Sequence, residues 1–187
     1  MLFETVIGMM LAGMMAALGW TDDLIQDVAP GTSLKHFTQI DEHVFAGSKP
    51  KKDADFEFLR AKGVKYILQA DFLPGMSERE RAAAKKFGIE YAAVRINASL
   101  VPPSEKDVNE ALRIMHTDQP IYVHCVLGRD RTSLLAGLYR IYFEGMTKEA
   151  AYRTMKAEGF RDVFFLHGLK AYFDKHALPP SRSANVS

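Results

Sequence analysis

A single cysteine stands in the 187-residue chain, and it lies in the run His124-Cys125-Val126-Leu127-Gly128-Arg129-Asp130-Arg131-Thr132. An arginine follows it by six positions, with a glycine midway and a hydroxyl residue just beyond. That spacing suits covalent phosphate transfer. A cysteine can attack phosphorus, and the N–H groups of the residues between can wrap the phosphate oxygens. The guanidinium of Arg131 can hold two of those oxygens by a bidentate contact. Gly128 lets so tight a loop curl without a Cβ in the way. Thr132 is placed to hydrogen-bond the thiolate or a passing water. A lone cysteine can instead be a small buried hydrophobe. A His-Cys pair could also belong to a metal site, but zinc wants four ligands and the chain has no second cysteine. Chance alone yields this pattern on the order of once in ten million positions at average residue usage, which favours the chemical reading.

The elements on either side fit that reading. Residues 120–124 form a short β-branched and aromatic run after a turn signal, so a buried strand is expected. From 131 to 144, apolar side chains at Leu134, Leu135, Leu138, Ile141 and Tyr142 recur at helical spacing and predict a helix with one buried face. Gly145 is a suitable terminator. The loop therefore sits at a helix N-terminus, where free N–H groups and the helix dipole favour an anion and activate a thiol.

On these residues the chain resembles the protein-tyrosine-phosphatase superfamily, in its small dual-specificity-like branch. The resemblance runs over about residues 40–175. The segment His43-Val44-Phe45-Ala46-Gly47-Ser48-Lys49-Pro50 is similar to the first-strand segment of bacterial and fungal members, with Ala46 where many carry arginine. Gly145-Met146-Thr147-Lys148-Glu149-Ala150 and Glu158-Gly159-Phe160 resemble the helix pair that follows the loop. The resemblance implies a cysteine-based phosphatase that needs no cofactor and no metal. His124, Val126, Leu127, Gly128, Arg129 and Thr132 would line the phosphate site.

The rest of the chain is consistent with one domain over 20–178. Its composition, 48% apolar and 25% charged, can bury one core. A net charge of +1 gives no global case for nucleic acid. Helices are expected over 53–62, 77–87, 104–116, 147–158 and 162–176, and strands over 64–70 and 89–96. Ser77 and Glu80 read as a capping box. Such alternation means an α/β fold, a mostly parallel central sheet flanked by helices, as in dual-specificity phosphatases. Ligands of such sheets bind beyond the carboxyl ends of the strands, so the loops after Ala70, Ile96 and His124 should share one mouth. The aromatic residues Phe160, Phe164 and Phe165 are expected to pack the last helices onto the core. The other histidines are expected to be packing or surface residues, since none forms a metal-spaced pair. Residues 6–18 form an uncharged run of 13. It is too short for a comfortable membrane span and reads as the core of a signal peptide over 1–19, with export to the periplasm or beyond. The alternative is a buried or amphipathic helix in a cytoplasmic protein. The tail over 179–187 reads as disordered.

Turnover would gain from a general acid that protonates the leaving oxygen and then activates water. In the family this is usually an aspartate on the loop before the catalytic strand. Here that loop, 97–104, holds no carboxylate. Asp71, at the end of the 64–70 strand, and Asp130, inside the signature loop, are the candidates. Glu105 and Asp107 stand behind them, with Asp107 better suited to capping. Extra cations at Arg129, Lys49, Lys51, Lys52 and Lys106 suggest a multiply phosphorylated ligand. The segment Arg95-Ile96-Asn97-Ala98 also looks like that of phytase-like members. An inositol polyphosphate is thus the first substrate expectation. A phosphotyrosine-bearing or otherwise phosphorylated protein is the second, and a catalytically weak phospho-ligand binder the third.

Overall fold

In chain order the strands are β1 (Thr38–Gln39), β2 (Val44–Ser48), β3 (Tyr66–Asp71), β4 (Glu90–Arg95) and β5 (Ile121–Cys125). The helices are α1 (Asp53–Ala61), α2 (Glu78–Lys86), α3 (Glu105–Met115), α4 (Asp130–Tyr142), α5 (Lys148–Ala157) and α6 (His167–His176). They belong to a computed structural model that describes residues 28–71 and 77–177. The leader expected over 1–19 and the tail over 179–187 lie outside the described residues.

The strands pair in the order β1-β2-β5-β3-β4. β2, β5, β3 and β4 run parallel, and only β1 is antiparallel, at the β2 edge. This is the α/β architecture expected, and it puts β5, with the cysteine at its carboxyl end, in the middle of the sheet. Both faces of β5 are buried, which is why its sequence is apolar without alternation. The two faces still sort with period two. Ile121 and Val123 join a large core with α3, α4, α5 and α6, while Tyr122 joins a second core with Phe56 and Leu59 of α1 and Ala84 of α2. His124 shares the Tyr122 face.

Three expectations are corrected. Helix α4 is buried from Thr132 to Ile141, not along one stripe. It is enclosed by β5 and by α3, α5 and α6, and its small residues Ser133, Ala136 and Gly137 allow that close approach. Second, Ser77 does not cap α2. Its hydroxyl is turned to Gln69 Oε1, and Glu80 points inward, buried. Third, the helix expected over 162–176 starts only at His167, after a 3-10 turn at Phe164–Leu166. Phe160 is buried, but Phe164 and Phe165 are 79% and 67% exposed. The turn is docked elsewhere, because the Gly168 N–H donates to Ser99 O at 2.9 Å. A side chain at Gly168 would run into Val101 and Ser99.

The cap of α3 and the packing of two histidines follow the sequence reading. Ser104 caps α3 by accepting from the Asp107 N–H. His116 stacks on Phe143 at 3.9 Å and His176 on Tyr172 at 4.2 Å. Among the described residues no helix is long and apolar enough to cross a membrane, and no group of three or more His, Cys, Asp or Glu could hold a metal ion.

Candidate active site

Cys125 closes β5, and the chain turns through Val126–Arg129 into the first turn of α4. The turn is possible because Gly128 takes φ +69° and lies against the backbone of β2. A Cβ there would fall on the Gly47 carbonyl carbon and the Ser48 amide nitrogen. Glycine therefore serves two ends at Gly128, a left-handed backbone and a close approach. The Ser48 segment is itself held. Its N–H donates to Lys35 O at 2.9 Å, its Oγ accepts from the Lys35 N–H at 2.8 Å, and its carbonyl accepts from the Tyr122 hydroxyl at 2.7 Å.

Arg131 lies in the first turn of α4, where the free N–H groups of a helix gather. Its Nε donates to Ile96 O at 3.0 Å, and its guanidinium lies 3.7 Å from Asp71 Oδ1. One side chain thus spans the carboxyl ends of β3 and β4 beside β5, so the three loops do share a mouth. Asp71 is further oriented by Gln69, whose Nε2 donates to Asp71 Oδ2 at 3.3 Å. Gln69 is buried and in turn accepts from the Tyr91 hydroxyl at 2.8 Å. Gln69 and Asp71 lie on one face of β3 by strand periodicity.

The second acid candidate is differently employed. Asp130 is buried, and both its oxygens are taken by Arg161. Oδ1 accepts from the Arg161 N–H at 3.0 Å and from Nε at 3.1 Å, and Oδ2 accepts from the guanidinium at 2.5 Å. Asp130 thus braces the loop against the chain after α5, and its partner is Arg161, not Arg129. Arg129 donates from Nε to Gly159 O at 3.0 Å, a second tie to the same segment. Thr132 is buried, and its hydroxyl makes no hydrogen bond within the described residues.

Lys49, expected at the substrate, is paired with a carboxylate of α2. Its ammonium is 3.0 Å from Glu80 Oε2, while Glu80 Oε1 is 2.6 Å from His124 Nε2. His124 therefore lies behind the loop in an ionic cluster, not in the mouth. Lys51 and Lys52 are exposed, but their backbone N–H groups are held by the Asp55 carboxylate at 2.7 and 3.1 Å. Sequence reasoning missed Gln69, Glu80 and Arg161. A polar residue inside an apolar strand, two positions before Asp71, was the available signal for Gln69. For Glu80 it was the i, i+4 pairing with buried Ala84.

Exposed apolar side chains stand on the segments that end near Cys125: Val126 and Leu127 of the 126–129 turn are 45% and 49% exposed, and Leu100, Val101, Phe164 and Phe165 are exposed too. The 97–103 loop and the 161–168 segment meet where Gly168 contacts Ser99 and Val101.

Comparison with known proteins agrees with this fold. The model of a family described as "Tc-R-P: Polymorphic toxin system, DSP-PTPase phosphatase" matches residues 42–143. The dual specificity protein phosphatase TpbA of Pseudomonas aeruginosa PAO1 is 36% identical over 98 residues. That stretch is 52% of this chain but 45% of the relative, so the similarity spans about half the length of each. The crystal structure of P. aeruginosa TpbA in complex with pTyr superposes with a TM-score of 0.61 at 22% identity, covering 86% of this chain and 89% of that one. The core catalytic domain of the PP-IP phosphatase SIW14 from S. cerevisiae, in complex with citrate, gives 0.65 at 21% identity, over 80% and 88%.

Proposed function

The chain belongs to the DSP-PTPase phosphatase family of polymorphic toxin systems, and from that premise we propose that it is a cysteine-dependent phosphomonoesterase whose substrate is a phosphotyrosine side chain. In the first step the Cys125 sulfur attacks phosphorus in line and the bond to the leaving oxygen breaks. Asp71 gives its proton to that oxygen as the charge develops. Arg131 and the N–H groups of the 126–131 loop hold the equatorial oxygens. In the second step water attacks the phosphocysteine and Asp71 takes the water proton. The S–P bond breaks, and inorganic phosphate and the thiolate are restored.

The observation that carries the substrate reading is the exposed apolar surface next to Cys125 in the chain. Val126 and Leu127, which follow it directly, are half-exposed aliphatic side chains, and Phe164 and Phe165, on the segment that begins at Arg161, are exposed aromatic ones. An aryl phosphate and the apolar side chains of a peptide suit such a surface, since burying their surface is favourable. A ring carrying several phosphates would desolvate charge against it. Lys49, a main support for a multiply charged ligand, is engaged with Glu80 instead.

A second reading, an inositol polyphosphate as substrate, draws support from the exposed Lys51, Lys52 and Lys106 and from the fold likeness to a PP-IP phosphatase. Phosphate release from a phosphotyrosine peptide and from inositol hexakisphosphate, measured side by side, separates the two. Faster release from the peptide is expected. Release from inositol hexakisphosphate alone would reverse the order of the readings. Binding of either ligand with release from neither would leave a phospho-ligand binding protein.

A further inference from the structure

Asp130 is an awkward neighbour for a phosphate. It is a carboxylate in the first turn of α4, and an anion there is drawn to the same N–H groups and helix dipole that a bound phosphate needs. Left to itself it would compete for those groups and repel the ligand. A carboxylate has about four lone-pair sites, and Arg161 meets the two oxygens with four contacts. Oδ1 accepts from the Arg161 N–H at 3.0 Å and from Nε at 3.1 Å, while Oδ2 accepts from Nε at 3.2 Å and from Nη2 at 2.5 Å. Asp130 is thereby turned to the chain after α5.

Arg161 reaches it from a fixed base. Glu158 accepts from Arg140 of α4 with both oxygens, at 2.9 and 2.5 Å. Gly159 O accepts from Arg129, and Phe160 is buried in the large core. Hydrogen bonds to Asp130 push the Arg161 guanidinium up. Burial opposes them, and the charges of Asp130 and then Cys125 add to them, so the guanidinium stands within the field of the sulfur.

We propose that Arg161 is a positioning residue for phosphate binding that acts through Asp130: it holds and neutralises that carboxylate, so that the N–H groups at the start of α4 stay open to the ligand. The proposal rests on the phosphate site at Cys125 described above. It differs from simple bracing in what it requires of Asp130. A tie that only braced the loop would need the carboxylate. A neutralising arginine makes the carboxylate dispensable, and harmful once the arginine is gone.

Phosphate affinity can be read at one atom, because iodoacetamide meets a single cysteine in the chain. The concentration of inorganic phosphate that halves the alkylation rate is measured for the full native chain, Arg161→Gln, Asp130→Asn and the double variant, with circular dichroism to confirm folding. Arg161→Gln should weaken phosphate roughly tenfold, the order expected when one unit charge is uncovered several ångströms from an anion. Adding Asp130→Asn to that variant should recover most of the loss. A folded double variant with no recovery would overturn the proposal, as would a folded Arg161→Gln chain with native affinity. If the Arg161 variants do not fold, Asp130→Asn alone decides. It should bind phosphate more tightly than the native chain, and equal or weaker binding would overturn the proposal. None of these readings uses turnover. A chain that shows the expected pattern but releases no phosphate from a phosphotyrosine peptide would lose the proposed activity and keep this role for Arg161.

Discussion

Asp71 and Asp130 are one residue type at two ends of one site, and their surroundings divide their labour. Arg161 occupies both oxygens of Asp130, whereas Asp71 stands at the open end of β3 against Arg131. The proton for the leaving group is therefore expected from Asp71. Asp71→Asn should lower kcat on a phosphotyrosine peptide by about a hundredfold, at the lower end of what a lost general acid costs. The loss on p-nitrophenyl phosphate should be much smaller, because that leaving group departs without a proton. Steady-state rates on both substrates check this; equal losses on the two would count against Asp71. At this scale the sequence made Cys125, Arg131 and Asp71 legible as candidates, because the first two share one short motif and the third ends a legible strand. It offered Glu80 only as a capping partner of Ser77, and it could not show Arg161, which reaches the loop from the chain after α5 through tertiary contacts alone.

At the scale of elements, the phosphate loop depends on three neighbours. β2 supports it from below at Gly47 and Ser48, the chain after α5 ties it through Arg161 and Gly159, and α4 begins beneath it. Gly128→Ala tests the first support. A left-handed alanine costs about 1–2 kcal/mol, and overlap with packed backbone adds about 1–3 kcal/mol. Denaturant melts should show a loss of that order together with loss of phosphate binding. A fully stable variant with native affinity would mean that the loop does not lie on β2 as described. The alternation of strand and helix was legible because both periods are strong here. The all-round burial of α4 was not read, although Ser133, Ala136 and Gly137 on its expected outer side signalled close packing. The exposed Phe164 and Phe165 ran against the ordinary preference of aromatic side chains for the core. What holds their turn outside is a backbone contact, Gly168 to Ser99, which hydrophobic periodicity cannot reveal.

At the scale of the whole molecule, among the described residues Asp41, Asp55 and Glu80 tie separate segments together, and all three stay below the usual carboxylate range. Each works against burial. Asp41 does so by accepting from Tyr139 and from the His43 and Val44 N–H groups. Asp55 accepts from Ser33 and from the Lys51 and Lys52 N–H groups, and Glu80 is held by His124 and Lys49. A depressed carboxylate adds stability that is fully present above its unfolded-state pKa and is lost as pH falls through its folded value. The melting temperature should therefore hold above about pH 5 and drop steeply below about pH 4, where these groups take up protons. Asp55→Asn, less stable at neutral pH, should lose less over the same interval. Parallel native and variant curves would remove Asp55 from this set. Of the three, Glu80 reaches the site itself, since its partner His124 directly precedes Cys125. The central claim is that phosphate passes through that sulfur. Rapid-quench reaction with a phosphotyrosine peptide carrying labelled phosphate tests it most directly. Label should appear on Cys125 before free phosphate, and Cys125→Ser should show neither label nor turnover while still binding the peptide. Steady turnover with no label on the chain, or turnover that survives in Cys125→Ser, would contradict the account.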